Sequence, residues 1–286
     1  MAMSPPQRPK NPRTDHVSHI GVDEVTIAAK DVMALRHKTG LGMMDCKDAL
    51  KANDGDMSAA EEWIRAKRKG KMDTRTERTT GEGRVGIVVG DGGAAIIEVL
   101  TETDFTARNE EFITMMNTVS KAAMGCPAGV ITPTDEMTAA IDNIRVKTGE
   151  NANFARGEKL EGGHYGQYVH HDGKRGCLLQ VEGDADADVL KGICQHITFY
   201  DPAAITPDDV PQDKLAEIRS KAVEEAKASG KPEEIAQKMS EGKVRKFLEE
   251  NTLIKQKYVV DETKTIEEIL PEGCTITKFV RYTLGG

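Results

Sequence analysis

The sequence predicts an α+β fold, and three observations support that prediction. Apolar residues recur at helical spacing through residues 26–70 and again through 211–255. Short apolar runs joined by Asp-Gly turns, which are typical of β-hairpins, lie between these segments. A hairpin followed by helices occurs twice, roughly eighty residues apart. We therefore expect an N-terminal three-helix module, a duplicated core of antiparallel sheets with helices, and a projecting antiparallel helical arm.

The N-terminal part divides into a tail, a helical module and a linker. Residues 1–25 are rich in proline and lack a hydrophobic stretch, so we expect a disordered tail that is no secretory signal. Residues 26–70 carry the three short helices, the first starting near residue 26, and either Asp56 or Ser58 is placed to cap the third. Residues 71–83 are polar and are expected to be a linker.

A basic run at 65–83 allows two interpretations. Its lysines and arginines are suited to contact nucleic acid or the ribosome. However, Asp73 and Glu77 interrupt the basic residues and the run contains no aromatic residue, which favours a solvated helix end and linker.

The core is expected to divide at residue 148. Residues 84–148 contain a hairpin around DGG (91–93) and then two helices, and residues 149–286 contain a second hairpin around DGK (172–174). A helix, the inserted arm at 211–255, a short helix and a final strand follow the second hairpin. Glycine and proline at 230–232 separate the two amphipathic helices of the arm.

Composition limits the classes of function. The 286 residues are 38% hydrophobic and 30% charged, and no apolar run approaches the length of a membrane span. The net charge of −8 argues against a general nucleic-acid binder, because affinity for phosphates comes from massed lysine and arginine. Five scattered cysteines without a CxxC pair indicate the reduced thiols of a cytosolic protein, not disulfides or a zinc site.

Two patterns suggest chemistry but do not support it. GEGRVG (81–86) has the spacing of a dinucleotide-binding loop, yet it precedes a predicted strand and should follow one. His164, His170 and His171 lie near Cys177 and could form a metal site or a nucleophile. Adjacent residues of a strand point to opposite faces, so we expect His170 and His171 to diverge and give no such site.

The stretch TETDFTARNEEF (101–112) places Asp104 and Phe105 just after a predicted strand. Asp104 alone is a weak candidate for acid–base catalysis, since no histidine or second acid stands at a suitable spacing. Two interpretations stay open from the residues alone. Asp104 caps the coming helix while Phe105 packs beneath it, or the pair is presented to another molecule.

Three blocks of sequence resemble bacterial elongation factor Ts, the family of nucleotide-exchange factors for the GTPase elongation factor Tu. They are VMALRHKTGLGMMDCKDAL (32–50), EVLTETDFTARNEEF (98–112) and GKPEEIAQKMSEGKVRKFLEE (230–250). The resemblance runs from about residue 28 to 282. It implies a three-helix module of the ubiquitin-associated type, a duplicated α+β core and a helical coiled-coil arm, in agreement with the pattern read above.

The resemblance also implies a function and the residues that perform it. Members release GDP from elongation factor Tu in the cytoplasm, without bond-making chemistry, cofactor, metal, membrane or direct nucleic-acid contact, and a homodimer or 2:2 complex is possible. Asp104 and Phe105 correspond to the pair that intrudes beside the partner's magnesium and phosphate site. The other matching contact positions are Arg36, Met43, Met44, Lys47, Gly149 and either His170 or His171. Thr148 departs from the family pattern, in which an apolar residue is common before this glycine.

Overall fold

A computed structural model describes residues 27–39, 41–73 and 78–286. It contains helices and antiparallel sheets, so the predicted α+β class is confirmed. The chain divides into two units, the first ending at Ile64 and the second beginning at Arg65. The expected proline-rich tail and part of the expected linker lie outside the described residues. Within the described ranges, no helix is long and apolar enough to cross a bilayer.

The first unit is built from three helices. These are α1 (Ala29–Thr39), α2 (Met43–Ala52) and α3 (Met57–Asp73), the last of which continues into the second unit. Helix α1 begins three residues later than the sequence suggested, at Ala29 rather than residue 26. The three helices and the loop between α1 and α2 share one small apolar core, made of Val32, Leu35, Leu41, Cys46, Ala49, Leu50, Ala60 and Ile64.

The cap of α3 is Asp56, one of the two predicted candidates. Its carboxylate accepts a hydrogen bond of 2.9 Å from the Ala59 N–H. Glu61, which a capping box with Ser58 would require, pairs instead with Lys38 of α1 at 2.8 Å. This ion pair therefore links α3 to α1 at the surface of the first unit.

The first sheet of the second unit has four antiparallel strands in the order β1-β2-β4-β3. Its strands and helices are β1 (Glu82–Gly90), β2 (Gly93–Thr101), α4 (Asp104–Arg108), α5 (Glu110–Ala123), β3 (Gly129–Val130), α6 (Asp135–Thr148) and β4 (Ala152–Leu160). The first predicted hairpin and the two longer helices are confirmed, whereas α4, β3 and β4 were not predicted. Because β4 pairs with β2, this sheet reaches Leu160 instead of ending at residue 148.

The second sheet has three antiparallel strands in the order β5-β6-β9. These strands are β5 (His164–Val169), β6 (Arg175–Glu182) and β9 (Thr275–Thr283). The same region also contains α7 (Ala187–Tyr200), a two-stranded sheet of β7 (Lys257–Tyr258) and β8 (Asp261–Thr265), and the short helix α10 (Ile266–Ile269). The second predicted hairpin, the helix after it, the short helix and the final strand are all confirmed.

Strand β2 is buried on both faces and lies between two apolar layers. Ala95, Ile97 and Val99 pack against α5 and α6. The alternate residues Ala94 and Ile96 face the second sheet, because successive side chains of a strand point to opposite faces. The layer between the sheets also contains Val85, Leu160, Leu178, Val280 and Tyr282. The two sheets are thus held together by a shared core.

An ion pair reinforces the contact between the sheets. Arg156 of β4 donates to the buried Glu98 of β2 and to the Thr283 carbonyl, and its guanidinium lies 4.3 Å from the centre of the Tyr282 ring. Glu98 also accepts a 2.8 Å bond from the Gly285 N–H. A buried carboxylate needs such partners, so Arg156 and the last residues of the chain keep Glu98 paired.

Two long helices follow α7 along the chain and precede β7. They are α8 (Gln212–Ala228) and α9 (Glu233–Asn251), and they pack against each other as an antiparallel pair. Small residues are buried along the pair, among them Ala222, Ala226, Ala236 and Ser240. Helix α8 ends in a Schellman motif: the Lys231 N–H donates to the Ala226 carbonyl, and Gly230 adopts a φ of +74°. The predicted break at 230–232 is confirmed.

Candidate functional site

Helix α4 presents Phe105 to solvent. The helix has only five residues, and it buries Thr106 and Ala107 while the Phe105 side chain remains 85% exposed. The interpretation in which Phe105 packs beneath a helix is therefore wrong. Asp104 is partly exposed and pairs with Arg108 one turn later at 3.3 Å. We call this segment, Asp104–Arg108, the tip.

Asp104 is not the cap of either neighbouring helix. The Thr103 hydroxyl accepts the Thr106 N–H at 3.3 Å and so caps α4, while Asn109 caps α5 through the Glu111 N–H at 2.9 Å. The capping interpretation of Asp104 is wrong, because Asp104 is itself the first residue of α4 and the residue before it is the cap.

Two carboxylates join the tip to the loop after α6. Glu150 accepts hydrogen bonds from the Thr103 N–H at 3.1 Å and from the Thr103 hydroxyl at 2.8 Å. In return, Glu102 accepts the Asn151 N–H at 2.7 Å. Each loop thus supplies the acid that binds the other loop's main chain. We call this arrangement, formed by Glu102, Thr103, Glu150 and Asn151, the clasp.

Gly149 allows α6 to turn into the clasp. It is the C-cap residue of α6, with φ +75° and its N–H bonded to the Arg145 carbonyl at 2.9 Å. This left-handed conformation favours glycine. Thr148, the departure from the expected pattern, is half-buried and bonds back to the Ile144 carbonyl at 2.8 Å. The structure therefore brings Gly149 and the Asp104–Phe105 pair into one region through Glu150.

His170 and His171 lie in the turn after β5. The His170 N–H and carbonyl bond to Arg175 and Gly173, each at 2.8 Å, and Tyr168 shares a 2.8 Å bond with its Nδ1. His170 is half-buried, His171 is exposed, and their ring centres are 4.2 Å apart. The expectation that the two rings point to opposite faces is wrong, because strand alternation ends where the strand ends.

Strand β1 connects the tip to this histidine turn. The Arg84 side chain bonds to the Ala107 carbonyl at 3.4 Å, and the Val85 N–H donates to the Gly173 carbonyl at 2.8 Å. The Arg84 guanidinium also lies against Gly173, 2.5 Å from where a Cβ would stand, so any side chain there would make Arg84 move. The tip and the histidine turn are therefore parts of one packed structure.

The predicted residues of the first unit are exposed on α1 and α2. Met43 and Met44 are 49% and 68% exposed, and Lys47 follows them by four and three residues, so all three share one side of α2. Arg36 is exposed on α1, where Met33, which sequence reasoning missed, precedes it by three residues and is also exposed. Methionines and basic side chains are therefore exposed on both helices, and Asp45 and Asp48 are exposed beside them on α2.

The alternative chemistries gain no support. Cys177 is fully buried beside Cys194, and burial raises the pKa of its thiol well above the usual value, which opposes a nucleophilic thiolate. The segment 81–86 enters β1 and opens no helix. Among the described residues, no group of three or more histidine, cysteine or acidic side chains is placed to hold a metal. Part of the basic run lies outside the described residues.

Comparison with known proteins identifies the family. A family model described as Elongation factor TS matches residues 102–286. The chain belongs to the elongation factor Ts family. Elongation factor Ts of Ruegeria sp. (strain TM1040) is 38% identical over 276 residues, covering 91% of this chain and 93% of that protein. Those of Bartonella henselae (38% over 289 residues) and Vibrio cholerae (37% over 266) cover 91% of this chain and 94% and 92% of their own lengths.

Membership of the elongation factor Ts family confirms the resemblance read from the sequence blocks. The match to the family model begins at Glu102 and so includes the tip, Gly149 and His170, while the exposed methionines of the first unit precede it. Sequence reasoning missed Glu102 and Glu150. The signal that points to Glu150 is its position directly after the glycine that ends α6.

Proposed function

We propose that this chain is a guanine-nucleotide exchange factor of protein synthesis that binds the GTPase elongation factor Tu. Its relatives carry the name elongation factor Ts, and the sequence resemblance implies this partner. In the proposal, Asp104 and Phe105 enter beside the partner's magnesium and phosphate site, promote GDP release and allow GTP to load. The chain itself makes and breaks no covalent bond and requires no cofactor.

The observation that carries the proposal is the exposure of Phe105 on α4, a helix that the clasp holds through Thr103. A phenylalanine that is 85% exposed can gain about 1.5–3 kcal/mol when a partner covers it. Asp104, its neighbour, pairs with Arg108 at the surface. Once that pair separates in the complex, the carboxylate would repel the phosphates of GDP, because like charges repel strongly at short range where water is excluded. The pair therefore suits a site from which an anionic ligand must be expelled.

One phenylalanine is not sufficient for the proposed function. Accelerating release about ten-thousandfold requires lowering a barrier by about 5.5 kcal/mol, which exceeds the burial of one ring. The factor must therefore bind through a broad interface that favours the nucleotide-free partner. We assign the additional contacts to Gly149, to His170 in the turn after β5, and to the surface of Arg36, Met43, Met44 and Lys47. Methionines suit an adaptable apolar contact.

The proposal also fixes the setting of the interaction. A partner that works in translation places the interaction in the cytoplasm. The net charge of −8 favours a protein partner over direct contact with nucleic acid, and no step involves a membrane. Both a 1:1 complex and a homodimer that gives a 2:2 complex agree with the proposed contacts.

The test is release of fluorescent GDP from elongation factor Tu, chased with excess unlabelled GDP. We expect release to accelerate with the concentration of the chain and to reach a plateau. A release rate that stays unchanged at stoichiometric and excess concentrations would contradict the proposal. In parallel, binding to RNA at two salt concentrations tests the basic run at 65–83, since phosphate contacts would give strongly salt-dependent binding.

A further inference from the structure

The tip has little support of its own. Helix α4 has five residues, whereas an isolated helix shorter than about 12 residues is marginal in water. It buries Thr106 and Ala107 only, and its large side chain faces solvent. Something other than helix propensity and packing must therefore keep Phe105 in a fixed orientation.

The clasp provides a direct connection to the start of α4. Glu150 uses both carboxylate oxygens on Thr103, one for the main-chain N–H and one for the hydroxyl. The hydroxyl donates its proton to Glu150, so its lone pairs are free to accept the Thr106 N–H, and this bond caps α4. Glu150 therefore orients the cap, and the cap orients the turn that carries Phe105.

The rest of the clasp fixes the loop from the other side. Glu102 accepts the Asn151 N–H and also pairs with Arg78 at 3.4 Å, while the Thr101 hydroxyl donates to the Asn151 carbonyl at 3.1 Å. Hydrogen bonds to a charged acceptor are stronger than neutral ones. The two residues that precede the cap, Thr101 and Glu102, are thus both bonded to the loop after α6.

We propose that Glu150 is a positioning residue for nucleotide exchange: through Thr103 it holds α4 so that Phe105 projects toward the partner. The inference rests on the proposed function. Glu150 acts on the exchange step through Phe105, so it sets the maximal rate of GDP release more than the concentration of factor needed to reach half of that rate, which the other contact surfaces determine.

The first test uses the chain without its partner. We expect Glu150→Ala to speed amide hydrogen exchange of Thr103 and Thr106 at least about tenfold, because both amides lose direct or indirect support. Glu268→Ala is the control: Glu268 also accepts the N–H of a helix-capping threonine, Thr265 at 2.7 Å, but at α10 and outside the clasp, so exchange at Thr103 and Thr106 should not change. Unchanged exchange at Thr103 and Thr106 in Glu150→Ala would overturn the proposal.

The second test measures GDP release from elongation factor Tu over a range of factor concentrations. We expect Glu150→Ala to lower the maximal rate about tenfold and to change the half-saturating concentration less than about twofold. Glu150→Gln should be intermediate, because it keeps the length and one acceptor but presents an amide donor to Thr103. If Glu150→Ala does not fold, Glu150→Gln alone decides. Glu268→Ala should leave both parameters unchanged.

A double-mutant cycle separates positioning from direct contact. In a Phe105→Ala background, Glu150→Ala should cause little further loss, since the side chain that it positions is already gone. Equal losses in both backgrounds would overturn the proposal and indicate that Glu150 acts independently of Phe105. If the unaltered chain does not accelerate release, the proposed function fails, whereas the amide measurements still decide whether Glu150 holds the tip.

Discussion

Two neighbouring helices of the second unit use phenylalanine in opposite ways. Phe105 of α4 is 85% exposed, whereas Phe112 of α5 is fully buried. Helix α5 has fourteen residues and packs Phe112 with Met115 and Met116 against the first sheet, while α4 depends on hydrogen bonds from outside the helix. Residues 98–112 of this chain thus carry one phenylalanine packed in the core and one exposed to solvent.

The largest effect expected from this comparison is at the packed side chain. Phe112→Ala removes a fully buried ring, and we expect a loss of about 3–5 kcal/mol in the free energy of unfolding. Urea denaturation followed by circular dichroism measures it. Phe112→Leu, which keeps most of the apolar volume, should lose clearly less. If Phe112→Ala is as stable as the unaltered chain, the contrast between the two helices is wrong.

The presented side chain should give the opposite result. Phe105→Ala removes no core contact, so we expect the free energy of unfolding to change by less than about 0.5 kcal/mol. The maximal rate of GDP release should fall roughly tenfold to a hundredfold, because the ring's burial against the partner is lost. Denaturation and the fluorescent-GDP assay give the two quantities on one preparation.

Phe199 supplies the matched control for Phe105. It is 69% exposed at the end of α7, in the part of the second unit that packs on the second sheet. Phe199→Ala should leave the rate of GDP release unchanged. An equal fall of the rate in both variants would mean that exposure alone, not the place of Phe105, explains the loss.

The helices and hairpins that form the core around Phe112 were largely predictable from the sequence. The apolar spacing of α5 and the glycine turns of both hairpins are local signals. Strand β4 was missed because its half-buried residues include Arg156 and Glu158, whose charges hide the strand pattern until their partners in other strands are known. Helix α4 was missed because five residues carry too little periodicity to be recognised.

The exposure of Asp104 and Phe105 to a partner was predictable only from the family resemblance. Residues alone left Asp104 and Phe105 open between a cap and a presented pair. The position of Glu150 after Gly149 is a local signal, but its pairing with Thr103 could not be predicted, since the two residues are 47 positions apart and nothing in the sequence relates them. The prediction that His170 and His171 point to opposite faces was wrong for a different reason. Strand β5 ends at Val169, so the alternation of side chains along a strand does not apply to the two histidines.

Gly149 tests whether strain next to the clasp reaches the tip. Gly149→Ala places a Cβ on a residue with φ +75°, which should cost about 1 kcal/mol of stability, and the distorted turn should move Glu150. We expect the maximal rate of GDP release to fall about threefold. Thermal denaturation and the exchange assay are the measurements.

Gly230 is an unusually close control for Gly149. It has φ +74° and, like Gly149, has open space where a Cβ would stand, but it ends α8 in the helical pair. Gly230→Ala should therefore cost about the same stability without slowing exchange. If both variants slow GDP release equally, the strain acts through general stability and the separate role of the loop after α6 is contradicted.

The smallest effect concerns a packed histidine, whose charge state depends on pH. His196 of α7 is fully buried; its Nδ1 accepts the Val259 N–H at 3.2 Å, and its Nε2 lies 2.9 Å from Gln256 Oε1. Burial lowers the pKa of His196 below 6.5, although the Gln256 bond opposes that shift. The unfolded chain therefore takes up the proton first as the pH falls.

The free energy of unfolding should consequently fall as the pH drops from about 7.5 through the unfolded pKa of 6.5 toward the lower folded pKa. Protonation of Nδ1 would also displace the Val259 N–H, which adds to the cost of charging the ring. His196→Gln should lower stability at every pH but reduce this decline, as urea midpoints at several pH values would show. An identical decline in both proteins would assign the pH dependence to other groups. The His196 ring contacts Val259 and Gln256 and not the tip. Phe105→Ala should therefore show the same fall of the free energy of unfolding with pH as the unaltered chain.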